Sequence, residues 1–330
     1  MRARGVLVMF AATAGPRRGF GHLVRCGVLA DALGVNRVVV LRTESLATTR
    51  VARRLGWELQ QWRDVVDGAL PELLVVDDSS SVHTEHWVRR ARRLGIPVAS
   101  VHDGGSVGAT SDLVIDGSAV SRPQVSPRRV AGPAFAVLRD QGLRRLTRAG
   151  HGRPSVLVAL GGGVHVKRSG ARVASALVRR MPHVHVRLAA GFSGGPLPRV
   201  PARCRWIVAP RGLADALSNV SACVVSGGVT LYEACALGTP AVAVAVVPGQ
   251  RPAVNAVVNA NAALTASLDR PNGPERLADL VCRLLEQPVL QRALSRNAQR
   301  LVDGRGTVRV VARLTELMLR HRRGTTHAVA

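Results

Sequence analysis

The segment GFGHLVRCGVLADAL, residues 19–33, places a histidine directly behind two glycines at the predicted start of a helix. Gly19 and Gly21 let the backbone turn tightly and approach a ligand closely, and the free N–H groups of a helix start favour an anion. His22 and Arg25 lie three residues apart on one helix face. We expect the helix dipole to disfavour the imidazolium form of His22, so that the neutral ring can accept a proton. The alternative is a histidine that only bonds a backbone carbonyl.

A second glycine-led helix start is SGGVTLYEACALGTP, residues 226–240, which follows a predicted buried strand. Its first N–H groups suit the phosphates of a nucleotide. Thr230 offers a hydroxyl beside them, and Glu233 offers a carboxylate that suits the two hydroxyls of a ribose. The spacing Thr-x-x-Glu is also that of a capping box, which leaves a purely structural role open.

Two acidic pairs stand at the predicted ends of strands. Asp77 and Asp78 end LLVVDDSS, and His102 and Asp103 end VASVHDGG. Catalytic groups of parallel sheets collect at these carboxyl ends, although acids there also cap turns. The nearby histidines match no metal-ligand spacing, so the sequence predicts no metal site.

Short apolar runs alternate with amphipathic helical patterns along the whole chain, as in parallel sheets covered on both faces. The pattern predicts two doubly wound Rossmann-like domains with glycine loops at the carboxyl ends of their strands, facing a cleft. We expect residues 323–330 to be disordered. The predicted divisions are an N-terminal domain over 1–140, a polar linker over 141–153, a C-terminal domain over 154–305, and a helix and tail over 306–330. Predicted strands are Val6–Phe10, Arg37–Leu41, Leu73–Val76, Pro97–Val101, Leu113–Ile115, Ser155–Leu160, Val184–Ala190, Trp206–Val208, Ala222–Val225 and Ala241–Val247.

The composition of the chain limits which ligands and partners we expect. The 330 residues carry a formal charge of +25, yet Lys167 is the only lysine, which indicates the codon bias of a GC-rich genome. The basic clusters have no interleaved aromatic residues for base stacking, so nucleic acid is disfavoured, whereas contact with an anionic membrane surface stays open. A dinucleotide fingerprint is disfavoured because Val24 stands where its third glycine belongs, although Glu44 lies where a ribose-binding acid would.

Five widely spaced cysteines without a CxxC motif indicate a reducing compartment, and we expect a cytoplasmic protein. The start MRARGVLVMFAATAG has a basic end, a short apolar stretch and a signal-like Ala-Thr-Ala. We favour the alternative that VLVMF is the first buried strand, because it feeds the glycine loop before His22.

These motifs resemble those of a known group. GFGHLVRCGVLADAL is similar to the G-x-G-H-x-x-R-C-x-x-L-A segment of the PseG/SpsG group, which holds UDP-sugar hydrolases of the pseudaminic acid pathway and predicted spore-coat polysaccharide glycosyltransferases. VAGPAFAVLRD, VLVALGGG and VDGRGTVRVVARL look alike in the same order. The segment 226–240 also resembles MurG of peptidoglycan synthesis, where the matching Thr lies near the diphosphate and the matching Glu binds ribose. The resemblance implies a GT-B fold, a UDP moiety held by the second domain, acceptor or water held by the first, and no metal or cofactor.

Two departures separate this chain from the hydrolases. Their Arg-x-Asp element after the first strand is replaced by FAATAG, and their Asn-Gln pair appears as Gly249-Gln250. We therefore expect a glycosyltransferase using a UDP-sugar or other nucleotide sugar in cell-surface polysaccharide synthesis. A UDP-sugar hydrolase and a non-catalytic sugar-nucleotide-binding regulator are the alternatives.

The predicted catalytic residues are His22, Asp78 and Asp103. The predicted nucleotide-sugar-binding residues are Gly19, Gly21, Arg25, Gly161, Gly162, Ser226, Gly227, Gly228, Thr230, Glu233, Gln250 and Asn255.

Overall fold

The computed structural model describes residues 6–15, 19–42, 45–66, 69–104, 110–139, 154–161, 163, 166–192, 194–209 and 212–328. Contacts between Cα atoms divide the chain into two compact units. Unit 1 comprises Met1–Arg139 and Arg305–Ala330, and unit 2 comprises Asp140–Gly304. The predicted linker over 141–153 lies outside the described residues.

Unit 1 contains a sheet in the order β3-β2-β1-β4-β5-β6-β8-β7, in which only the β7–β8 pair is antiparallel. Strands β1 and β4 are buried at every position, as expected of central strands covered on both faces. The strands are β1 Val8–Ala12, β2 Val38–Leu41, β3 Glu58–Leu59, β4 Leu73–Asp77, β5 Val98–His102, β6 Leu113–Asp116, β7 Gln124–Ser126 and β8 Arg129–Ala131. The helices are α1 Gly21–Leu33, α2 Leu46–Arg54, α3 Trp62–Val66 and α4 Ser81–Arg93, with a 3-10 turn at Pro133–Phe135.

Unit 2 repeats this architecture with a wholly parallel sheet in the order β11-β10-β9-β12-β13-β14. The strands are β9 Ser155–Ala159, β10 His185–Ala189, β11 Cys204–Ile207, β12 Ala222–Ser226, β13 Ala241–Val244 and β14 Leu264–Thr265. The helices are α5 Val166–Arg180, α6 Ala214–Ser218, α7 Val229–Leu237, α8 Arg251–Asn259, α9 Gly273–Glu286 and α10 Pro288–Leu301.

The last helix, α11 Gly306–Ala328, belongs to unit 1. Its first turn is fixed by the Gly-Thr of VDGRGTVRVVARL. The Thr307 hydroxyl accepts a hydrogen bond from the Leu138 N–H at 2.9 Å and donates one to the Leu138 carbonyl at 2.5 Å. A Cβ at Gly306 would overlap the backbone of Ala136, so only glycine fits this contact.

The structure confirms the predicted doubly wound α/β class, and the predicted strand near the N-terminus is central strand β1. The prediction of disorder from residue 323 is wrong up to Ala328, because α11 continues to that residue. The pattern also missed the β7–β8 hairpin, whose two strands have only three residues each. Among the helices that the structure describes, none is long and apolar enough to span a membrane.

Candidate active site

Both sheets reverse their strand order at one position. In unit 1 the reversal lies between β1 and β4, and in unit 2 between β9 and β12. The connecting helices leave in opposite directions at such a switch point, and the crevice at the carboxyl ends of the strands is where open α/β sheets bind ligands. His22 follows β1 and Asp77 ends β4, so both lie at the switch point of unit 1.

The loop between β1 and α1 is closed by two backbone hydrogen bonds between Gly15 and Gly19, at 3.0 and 2.7 Å. Gly19 has a φ of 85°, which a residue with a side chain rarely adopts. Helix α1 then begins at Gly21, and no side chain caps it because its N-cap residue is Phe20. A Cβ at Gly21 would meet no atom within 4 Å. The helix start therefore offers uncapped N–H groups next to open space.

His22 is bonded to a buried carboxylate. Its Nδ1 lies 2.6 Å from Oδ1 of Asp77, whose side chain is fully buried, while 18% of the His22 side chain is exposed. Arg25 binds the same carboxylate through two hydrogen bonds, Nε to Oδ2 and Nη2 to Oδ1, both 2.7 Å long. Paired donors of this kind fix the plane of a carboxylate, so the orientation of the imidazole is fixed as well.

The charges set the tautomer. Burial alone would raise the pKa of Asp77, but the charge of Arg25, then that of His22, and their hydrogen bonds hold this pKa well below its usual value. Asp77 is thus ionised at neutral pH and accepts hydrogen bonds only, so Nδ1 of His22 carries the hydrogen. The lone pair of Nε2 is left as the group that can take a proton from a substrate.

The pKa of His22 shifts in the direction opposite to the one expected from the helix dipole. Burial lowers the pKa of His22, but the charge of Asp77 and its hydrogen bond outweigh burial, and the pKa is raised above the ordinary value of 6.5. The sequence pattern gave the position of the histidine on the helix but not the buried carboxylate beneath it.

Arg25 and Asp103 form the next layer. Arg25 is 7% exposed at its side chain and pairs through Nη1 with Asp103, whose side chain is 57% exposed. Arg25 thus bridges two carboxylates, and Asp103 is linked to His22 through Arg25.

Asp78 contacts other partners. Its Oδ1 accepts hydrogen bonds from Nη1 of Arg42 at 3.1 Å and from the N–H of Ser80 at 2.8 Å. The carboxylate that pairs with His22 is the neighbouring Asp77, which the predicted catalytic set omitted. Nearby, Nε2 of His102 lies 2.8 Å from the hydroxyl of Ser100, and burial lowers the pKa of His102 despite the charges of Asp116 and Asp77.

At the switch point of unit 2, the backbone of a glycine turn takes the place that charged side chains have in unit 1. Ser226 ends β12, and Gly227 and Gly228 turn into α7. A Cβ at Gly227 would lie 2.7 Å from Cγ2 of Val254 and 3.0 Å from the carbonyl of Gln250, so this turn packs tightly on the segment before α8. Across the sheet, Gly161 has a φ of 114° and lies beside the Ser226 hydroxyl. Gly162, also predicted at the site, lies outside the described residues.

The N-cap of α7 is Gly228, and no side chain caps the helix. Thr230 and Glu233 therefore lie inside the first turns, and the capping-box alternative is wrong because α7 begins at Val229 and its N-cap is Gly228 rather than Thr230. Since Gly228 has no side chain to bond the first N–H groups of α7, an anion can take that place.

Gln250 and Asn255 border the same turn on one side. The side-chain oxygen of Gln250 accepts a hydrogen bond from the Val246 N–H at 3.1 Å, and its amide nitrogen would lie 3.9 Å from a Cβ at Gly228. Asn255 lines a cavity of about 730 Å³ together with Arg251 and Val254. Val254, whose side chain lies close to Gly227, is one of the residues that line this cavity.

The titratable groups do not form a metal centre: within the described residues, no group of three His, Cys, Asp or Glu side chains could hold a metal ion. The site of unit 1 is thus a histidine–carboxylate–arginine cluster, and that of unit 2 is a helix start with a polar cavity beside it.

Solved structures with a similar fold include glycosyltransferases and a UDP-N-acetylglucosamine 2-epimerase. The spinosyn rhamnosyltransferase SpnG, solved with thymidine diphosphate, matches with a TM-score of 0.64 at 16% identity, over 93% of this chain and 100% of that one. MurG of Acinetobacter baumannii matches with a TM-score of 0.62 at 16% identity, over 94% and 99% of the two chains. The chain therefore has the GT-B fold, as the resemblance implied.

One curated relative is similar in sequence. The spore coat polysaccharide biosynthesis protein SpsG of Bacillus subtilis (strain 168) is 30% identical over 105 residues, which are 32% of this chain and 31% of the relative. The match thus spans about a third of each protein. No family model matches the chain.

Proposed function

We propose that the protein is a glycosyltransferase that moves a sugar from a nucleotide sugar to a hydroxyl of an acceptor. The observation that carries this proposal is the contact of His22 Nδ1 with Asp77 Oδ1 at 2.6 Å, at the switch point of a GT-B fold. Further support comes from the glycosyltransferases that share the fold and from the similarity to SpsG.

In this proposal His22 is the general base. Nε2 takes the proton of the acceptor hydroxyl while its oxygen forms a bond to the anomeric carbon of the donor sugar. The bond between that carbon and the diphosphate oxygen breaks, and its electron pair leaves with the nucleoside diphosphate. Asp77 stabilises the imidazolium that forms, and Arg25 holds Asp77 in position. A base so placed contributes about 10²- to 10⁴-fold to the rate.

The leaving diphosphate is assigned to the start of α7. The N–H groups after Gly227 and Gly228 and the positive end of the helix dipole stabilise its charge as the bond breaks. Glu233 binds the ribose hydroxyls, and Gln250 and Asn255 contact the donor sugar. This arrangement needs no metal ion, so EDTA should leave turnover unchanged. Loss of turnover in EDTA and its recovery with added magnesium or manganese would contradict it.

We propose uridine as the donor base, on the likeness of residues 226–240 to MurG. SpnG was solved with thymidine diphosphate, so the two nucleotides need a direct comparison. Dissociation constants of UDP and TDP, measured by calorimetry on the wild-type protein, decide the point. A tighter complex with TDP would overturn the choice of uridine.

The experiment for the activity is a screen of UDP- and TDP-sugars for nucleotide release, with and without methyl glycosides or a membrane-lipid fraction as acceptors. We expect release that depends on an acceptor, together with a new glycoside in the product. His22→Asn is the matched inactive control, since it keeps a polar group that cannot take the proton.

Two outcomes would contradict a transferase. Release at the same rate without any acceptor would make the protein a hydrolase that uses water as the nucleophile. Nucleotide binding without turnover of any donor would make it a regulator.

We also propose a cytoplasmic protein that contacts the anionic inner membrane surface peripherally. The support is α4, on which the side chains of Arg89, Arg90 and Arg93 are exposed. Val82, near the start of the same helix, is also exposed, at 70%. Basic side chains near a surface of anionic lipid attract it by about 1 kcal/mol each. Co-sedimentation with phosphatidylglycerol vesicles, lost at high salt and in an Arg89→Ser, Arg93→Ser variant, is expected. Equal binding to neutral phosphatidylcholine vesicles would contradict the proposal.

A further inference from the structure

Four buried polar atoms in unit 1 have no hydrogen-bond partner among the described residues, and two of them, the hydroxyl of Thr13 and Oδ2 of Asp78, follow neighbouring strands of the sheet. Thr13 is 1% exposed and Asp78 is 4% exposed. Buried polar atoms are nearly always bonded, so an unpartnered one needs an explanation in the function of its site. Two of them close together point to something that bonds both.

The two residues are neighbours. Thr13 directly follows β1 and Asp78 directly follows β4, and the last residues of these paired strands, Ala12 and Asp77, stand opposite each other. The Thr13 N–H donates a hydrogen bond to the Asp77 carbonyl at 3.3 Å. Both residues thus lie at the switch point of the sheet, and Asp78 directly follows in sequence the aspartate that binds His22.

The surroundings fix which chemistry these atoms accept. Oδ1 of Asp78 accepts hydrogen bonds from the Arg42 guanidinium and the Ser80 N–H, and these two bonds fix the orientation of the carboxylate. Because an ionised carboxylate has no hydrogen to donate, Oδ2 can only accept a hydrogen bond. The Thr13 hydroxyl can donate one. A single O–H group that accepts from Thr13 and donates to Asp78 satisfies both atoms. A phosphate or carboxylate has no hydrogen for Oδ2 and is repelled by it.

We infer that Thr13 and Asp78 form a subsite for a hydroxyl of the acceptor, and that the acceptor is a neutral polyhydroxylated compound such as a sugar. One hydroxyl binds in this subsite while another presents its proton to His22. The subsite's role in choosing the acceptor rests on the proposed glycosyltransferase function. The subsite excludes an acceptor that places an anionic group, such as a lipid phosphate, beside Asp78.

The test uses Thr13→Val, which removes the hydroxyl and keeps the shape. Methyl hexopyranosides and their monodeoxy analogues serve as probes, with binding followed by saturation-transfer NMR and transfer followed by nucleotide release. We expect affinity for the best glycoside to fall about 3- to 10-fold in Thr13→Val and about 10-fold or more in Asp78→Asn. Affinity for the nucleotide should stay unchanged, because unit 2 binds it. One monodeoxy analogue should bind the wild type and Thr13→Val equally.

Stability gives a second, independent measure. Because the Thr13 hydroxyl has no partner in the free protein, Thr13→Val should keep or raise the Tm while it weakens glycoside binding. Thr239→Val is the matched control: that buried hydroxyl donates to the Leu217 carbonyl at 3.0 Å in unit 2. Its loss should lower the Tm and leave glycoside binding unchanged.

Each result decides a separate claim. If Thr13→Val binds and uses every glycoside like the wild type, the two atoms bond a buried water only and the subsite is overturned. Failure of all neutral glycosides to bind the wild type would overturn it too. If glycosides bind and depend on Thr13 but no donor is ever turned over, the subsite stands and the transferase function fails.

Discussion

The two units share one strand order around their switch points, but the groups placed there differ in kind. At the switch point of unit 1 the charges belong to side chains, with Asp77 fully buried beneath His22 and Arg25. At the switch point of unit 2 the polar groups belong to the backbone, because Gly227 and Gly228 lead into an uncapped helix. In the proposed function, one fold supplies a proton-transfer group in one unit and an anion-binding group in the other. Substitutions should therefore act differently in the two units.

The largest effect is expected from Asp77→Asn. It leaves Arg25 buried beside a neutral amide, and removal of one partner from a buried ion pair costs about 3–5 kcal/mol. Turnover should fall as well, since the amide neither fixes the tautomer of His22 nor stabilises its cation. Urea unfolding measures the stability. Asp103→Asn, at the exposed end of the cluster, is the control and should cost about 1 kcal/mol or less. Equal losses in the two variants would show that the buried pair has no special role.

Glu233→Gln tests the other unit through affinity instead. Loss of a charge-assisted hydrogen bond to ribose costs about 1.5–3 kcal/mol, which corresponds to a roughly 10- to 150-fold weaker nucleotide complex. No capping-box bond is lost, because Gly228 rather than Thr230 is the N-cap, so we expect affinity to change more than stability. Calorimetric titration with the nucleotide and thermal unfolding provide the two measurements. A lower Tm with unchanged affinity would contradict the ribose role.

The two glycines of unit 2 should separate packing from binding. A Cβ at Gly227 meets Val254 at 2.7 Å, so Gly227→Ala should cost about 1–3 kcal/mol of stability. A Cβ at Gly228 meets only the Gln250 amide nitrogen, at 3.9 Å, so Gly228→Ala should fold normally. It should nevertheless weaken nucleotide binding, because the methyl group stands where the diphosphate approaches. Normal nucleotide affinity in Gly228→Ala would remove the diphosphate from this helix start.

A smaller effect is expected in the pH dependence of stability. The pKa of His22 is raised above 6.5 in the folded protein, so its ion pair with Asp77 stabilises the fold fully below pH 6.5. That contribution is lost as the pH rises through the raised pKa. The difference in Tm between the wild type and His22→Asn should therefore shrink from pH 6 towards pH 9. A difference independent of pH would mean that folding does not raise the pKa of His22.

The sequence predicted the backbone well and the charges less well. Strand alternation and the glycine motifs placed His22 and the start of α7 at the carboxyl ends of strands, since these features are local in the chain. The partner of His22 was missed because Asp77 and Asp78 are adjacent and only the pairing of β1 with β4 decides which one lies beneath α1. Thr13 carried no signal of its own. That Thr13 follows β1 beside an aspartate becomes evident only from the register of the two strands.

The central claim is that His22, oriented by Asp77, removes the proton of the acceptor hydroxyl. Its most direct test is the turnover of His22→Asn with saturating donor and acceptor, compared with the wild type across pH. We expect kcat to fall at least ~100-fold, with nucleotide affinity unchanged. The wild-type rate should rise with pH through an apparent pKa above 6.5, because only the neutral imidazole accepts the proton. If His22→Asn keeps most of its turnover and the profile stays flat, His22 only positions the substrate and the proposed base is wrong.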